Sequence, residues 1–196
     1  MVRSFADNQY PDSLISGGPL AGSFMAIRTR LQELFDPKVY EHVVIPPRAT
    51  LQDWKSLTRR MPMVGLGFMG CPPSPRTGAN FRGDAQFYVV LLTRQIPGLD
   101  GYFGDGVLPG ILGLSAVAVM GLHGMTIQPV GTAGSCEVKQ LTTTGEQEWL
   151  EDNVSSVQLQ VTVPALAFDT PGLLEQLDDF KTLSSEIVDS PSGEPT

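Results

Sequence analysis

The chain has 196 residues, 41% hydrophobic and 17% charged, with 21 glycines and 16 prolines. That is the size of one domain with an extended arm, able to bury a core, and it excludes a structureless low-complexity chain. A formal charge of −8 excludes a general nucleic-acid binder.

The charge is unevenly spread. Residues 1–136 carry eleven Lys/Arg against nine Asp/Glu, and residues 137–196 carry two against twelve. Such a split either pairs copies head to tail or marks an acidic solvated face and tail. Cys71 and Cys136 form neither a CxxC nor a Cys/His cluster, which points away from a disulfide framework and a zinc site. The N-terminal MVRSFADNQYPDS has no apolar signal-peptide core. The longest apolar run, 107–122, is interrupted by Pro109, Gly110, Gly113 and Gly121 and is short for a bilayer span. A cytosolic, reduced protein outside the membrane is expected.

Residues 1–18 are polar and turn-rich and read as an N-terminal arm. A helix is predicted next, with Pro19 in its first turn and a stripe at Leu20, Phe24, Ile27, Leu31 and Leu34, stopped by Asp36-Pro37. Residues 39–45 (VYEHVVI), closing on Pro46-Pro47, read as an edge strand. Residues 50–60 read as a short helix capped by Thr50. Residues 61–69 read as a buried strand interrupted by glycines, and 70–83 as a Pro/Gly loop.

Residues 84–96 form the most apolar strand, followed by a Gly/Asp loop over 97–106. Residues 107–122 suit a buried helix of small residues. Strands are predicted at 127–130, 135–142 and 154–163, the last alternating from Ser156 to Val163, with the chain leaving the sheet at Pro164. Residues 173–180 suit a short helix, and 184–196 an acidic mobile tail. The order predicts an α+β domain over 19–165, a mainly antiparallel sheet with helices packed on one face, and an acidic C-terminal extension over 166–196.

Chemistry-bearing motifs are sparse. Gly65, Gly67 and Gly70 match GxGxxG, but Cys71-Pro72-Pro73 cannot open the helix that a dinucleotide site needs. Ser115 lacks the second glycine of a nucleophile elbow. His42 and His123 are the only histidines, and a packed or helix-capping role suits each better than a general base. Glu146, Glu148, Glu151 and Asp152 have no apolar wall to raise a pKa. No catalytic, cofactor-binding or metal-ligating residue is assigned, and the chain is not read as an enzyme. Arg48, Lys55, Arg59 and Arg60 surround the second helix, and Arg76 and Arg82 flank the Pro/Gly loop. With few aromatics interleaved, they suit a protein surface or an acidic patch on another copy rather than nucleic-acid sequence recognition.

The layout resembles the small tail proteins of Mu-like bacteriophages, specifically the tail terminator family, over roughly residues 20–165. It is carried by the amphipathic helix around Met25-Ala-Ile-Arg-Thr-Arg-Leu31, the strand Met61-Pro-Met-Val-Gly-Leu-Gly67, and the long strand Gln86-Phe-Tyr-Val-Val-Leu-Leu92. A Gly-rich connection then enters a helix ending in Leu122-His123-Gly124, and Val157-Gln-Leu-Gln-Val161 is the late alternating strand.

The resemblance implies a structural virion protein without cofactor. It forms a ring, typically a hexamer, that caps the tail tube, stops its polymerisation and offers the docking surface for the head. Its partners would be itself, the tail tube protein, the head–tail connector and, in a contractile tail, the sheath. A tube or baseplate subunit is the alternative. Arg59, Arg60, Arg76 and Arg82 on one side, and Glu175, Asp178 and Asp179 on the other, are the candidate subunit or partner contacts.

Overall fold

A computed structural model describes residues 17–75, 81–94, 98–127, 135–143 and 154–168. Within them the chain forms α1 (Gly18–Leu34), β1 (Glu41–Val44), α2 (Leu51–Leu57), β2 (Met63–Gly70), β3 (Arg82–Arg94), α3 (Asp100–Phe103), α4 (Ile111–Leu122), β4 (Glu137–Thr143) and β5 (Val154–Ala167). The strands make one sheet in the order β1-β2-β3-β5-β4. The β1–β2 pair is parallel, bridged by α2, and the other three pairs are antiparallel. The fold is α+β.

Alternation in β3 divides the molecule into two apolar clusters. Phe87, Val89 and Leu91 point to one face, where they join Val157, Leu159, Val161 and Val163 of β5 beneath α1 and α4. Helix α1 contributes Ile27 and Leu31, and α4 contributes Ile111, Leu114, Ala118 and Leu122. Phe87 lies at the centre, its ring 6.2 Å from that of Phe24 and 5.6 Å from that of Phe68. Val90 and Leu92 point the other way, to Ile45, Met63 and Leu57, with Trp54 packed against them. The two long helices thus share one face as expected, and the short α2 covers part of the opposite one.

Local chemistry accounts for the element boundaries. Thr50 and Asp53 form a capping box, in which the Thr50 hydroxyl accepts from the Asp53 N–H at 3.2 Å and the Asp53 carboxylate accepts from the Thr50 N–H at 2.8 Å. These bonds hold the Asp53 carboxyl below its ordinary pKa. In α1 the predicted stripe faces the core: Ile27 and Leu31 are buried and Leu20, Phe24 and Leu34 pack against the same cluster, with Ser23 buried beside them and Met25 half exposed. Ser23 tolerates burial because its hydroxyl donates to the Pro19 carbonyl at 2.9 Å.

Several expectations change. The 97–106 loop contains α3, a single helical turn. The helix predicted from 107 begins at Ile111, because Pro109 and the extended Gly110 precede it. Of the strand predicted at 127–130, only Ile127 lies within the described residues. An isolated bridge there joins Thr126 to Ser135. β5 does not end at Pro164 but runs on to Ala167, opposite Arg82. Pro164 and Ala165 together face Asp84, a bulge that needs no ladder donor from proline. The Asp84 carboxylate accepts from the Ala165 N–H at 2.9 Å, holding Ala165 at φ 51°. The arm's residues 1–16, the 173–180 helix and the 184–196 tail lie outside the described residues.

Candidate interaction surfaces

The two histidines are occupied by the fold. On β1, His42 Nε2 donates to the Phe35 carbonyl at 2.7 Å. His123 is the C-cap of α4, and its Nδ1 accepts from the Val138 N–H at 3.1 Å, which uses the lone pair a general base would offer. One is on the β1 edge and the other beside β4, about 19 Å across the sheet, so they form no pair. Gly65 and Gly67 lie inside β2, and Gly70 leads towards the Pro73–Gly83 bridge rather than a helix. Their role is close packing: a Cβ on Gly67 would fall 2.3 Å from the Tyr88 ring, and one on Gly65 2.8 Å from Ile45.

Neither thiol is poised for chemistry. Cys136 is fully buried, which pushes its pKa up to about 11, and burial with the nearby Asp84 charge also raises Cys71. Since the thiolate is the nucleophile, iodoacetamide at pH 8 should label native Cys136 about a hundredfold slower than a free thiol. Peptide mass mapping reads this directly, and prompt labelling of Cys136 before Cys71 would contradict its burial. Asp105 is likewise engaged. Its carboxylate accepts from Val107 and Leu108 N–H groups, both at 2.9 Å, bonds that hold it below its ordinary pKa. Among the described residues no three His, Cys, Asp or Glu groups converge on a metal position. No helix among them is long and apolar enough to cross a membrane.

The predicted contact residues separate. Arg59 and Arg60 follow α2 and are exposed, with Arg48 and Lys55 nearby in sequence and also exposed. Arg60 pairs with Glu41 at 2.9 Å. Arg82 begins β3, whereas Arg60 adjoins the start of β2, where Met63 faces Leu92. Ten residues of β3 therefore set Arg82 about 33 Å from the α2 group. Arg76, Glu175, Asp178 and Asp179 lie outside the described residues.

What sequence reasoning missed is apolar. Helix α4 (ILGLSAVAVMGL) has no charged residue, and such a helix is expected to be buried all round. Instead Met120 is 82% exposed, and Leu112 and Val117 are exposed beside it. The surface continues through Val107 (86%), Leu99 (71%) and Phe103 (69%), together with Tyr102 and Leu108. Helix α3 is fixed against the start of α4 by the Gly104–Pro109 bridge and by Gly110, where a Cβ would meet the Tyr102 carbonyl at 2.4 Å. The missed signal was the absence of charge from 106 to 122, a stretch too long to be covered on every side by one sheet and one helix.

No protein-family model matches the chain, and no curated protein is significantly similar to it.

Proposed function

We propose that this chain is a structural subunit of a phage tail: a terminator that closes into a ring on the end of the tail tube, stops its polymerisation and offers the head connector a docking surface. The observation carrying this reading is the exposed basic surface around α2 on a chain whose residues 137–196 carry twelve Asp/Glu against two Lys, two unlike and complementary groups on one subunit. The α2 surface carries Arg48, Lys55, Arg59 and Arg60, while the α3–α4 surface on the opposite face of the sheet is mostly apolar, with Asp100 and Asp105 its exposed charges. A closed ring needs two unlike, mutually complementary surfaces on each subunit. The element order also keeps the layout that resembles tail terminators, from α1 through β2, β3 and α4 to the alternating β5.

In this reading the basic α2 surface of one subunit meets the acidic Glu175, Asp178 and Asp179 of the next, and six copies close the ring. The tail tube protein, the connector and, in a contractile tail, the sheath are the remaining partners. The finished assembly belongs to the virion tail.

Charge reversal tests it. Arg59→Glu with Arg60→Glu, or Glu175, Asp178 and Asp179 each to Lys, should convert rings to smaller species by light scattering, and mixing the two variants should restore them. The lost Arg60–Glu41 pair is exposed and contributes little to folding. Assembly unchanged in every combination would overturn the ring contact. Open-ended tubes under negative stain would instead identify a tube subunit.

A further inference from the structure

The apolar α3–α4 surface is a separate feature from the charged contact, and its own pattern says what covers it. Along α4 the exposed positions Leu112, Ala116 and Met120 recur every four residues, so they stand in one row with the small residue in the middle. We propose that this row packs against the same row of a second copy, about a two-fold axis passing beside Ala116.

Three observations favour a second copy. First, the row is self-complementary. In an antiparallel crossing at Ala116, Leu112 of each helix meets Met120 of the other, as an isologous contact requires. Ala116 lets the helices cross at about 9.5 Å between axes, within the usual 8–10 Å. Second, α4 is uncharged from Ile111 to Leu122, so two copies of a chain with net charge −8 oppose no like charges along this row, the acidic Asp100 and Asp105 lying outside α4. Third, the area suffices. At their exposures, the eight apolar side chains of this surface offer roughly 900 Å², above the largest patch of a typical monomer and close to the ~800 Å² per partner of a stable interface.

The two-fold also gives α3 a seat. Tyr102 abuts Gly110, six residues before Ala116. The position symmetric to it on the partner is the C-terminal end of α4. There a shallow cleft of about 560 Å³ opens between α1 and the end of α4, with Ala26, Met120, Gly121 and Met125 as its apolar lining and Arg30, Glu33 and His123 as its polar one. Phe103, 69% exposed, enters it. Two rings joined through this contact stack face to face, while subunits unable to form rings remain as pairs.

Engineered disulfides read the axis directly. Two Ala116 Cα atoms facing across it lie about 5 Å apart, within disulfide reach. Ala116→Cys in a Cys71→Ser background, oxidised by glutathione disulfide, should therefore give a covalent dimer. Met120→Glu places a charge on an already exposed position, so folding is retained by circular dichroism. It should weaken pairing roughly 100-fold by leaving an unpaired carboxylate in the contact. A wild-type chain that stays monomeric across a concentration series overturns the proposal. So does an Ala116→Cys chain that self-associates but never cross-links, because a head-to-tail contact would set Ala116 against another residue. The ring reading fails separately. Pairing lost by Met120→Glu and untouched by Arg59→Glu/Arg60→Glu supports the two-fold whether or not rings form.

Discussion

Phe87→Ala is expected to lower the unfolding free energy by about 3–5 kcal/mol, among the larger losses that truncating a described core side chain can cause. Phe87 is fully buried at the point where β3 meets β2 and β5 beneath α1, with an edge contact to Phe24 and a tilted one to Phe68. Three elements close around it, so little can collapse into the space, and a cavity remains. The melting temperature should fall by roughly 10 °C, measured by circular dichroism with a parallel urea titration. Phe81 offers the contrast. Half exposed and touching Phe168, it should cost far less on the same change. Equal losses at the two positions would contradict the placement of the core.

Gly104→Ala should cost about 2–4 kcal/mol, with the damage concentrated in α3. Gly104 ends α3 at φ 99° and ψ 169°, a region essentially reserved for glycine. A Cβ there would also stand 2.2 Å from the Leu108 carbonyl and 2.7 Å from the Gly110 N. Both obstacles are backbone, so no rotamer relieves them. Amide exchange over 98–110 should accelerate while β3 and β5 stay protected. Because α3 supplies Phe103 and Tyr102, the same variant should lose self-association before it loses the sheet. Faster exchange throughout the domain would mean that α3 is not a separable unit.

Where periodicity is unambiguous, the sequence is readable. The stripe through Ile27 and Leu31 and the alternation of Val157, Leu159, Val161 and Val163 give α1 and β5 directly, because each pattern fits one helix face or one sheet face. Thr50 reads correctly as a cap because its bond to residue 53 is local. The failures are tertiary. Pro164 looks like a strand end until Asp84 is found opposite it on β3, 81 residues away, receiving the Ala165 N–H. Helix α3 has four residues and therefore no period to detect. The exposed side of α4 has an interior's composition, so composition alone assigns it to the core. The candidate contacts fare similarly: Arg60 and Arg82 both flank turns in sequence, and only the register of β2 on β3 shows that they occupy opposite ends of the sheet.

The two outer strands bear on how this protein grows into assemblies. β1 has four residues and runs into Pro46-Pro47, and β4 is broken by a bulge between Val138 and Gln140 that holds Lys139. Short length, proline, an irregular register and a lysine each discourage a foreign backbone from docking alongside. Among the described residues, then, neither rim of the sheet is a template for adding strands. Copies held at high local concentration are steered to meet through side-chain faces, whose contacts are finite and reversible, rather than by cross-β stacking, which has no built-in stop.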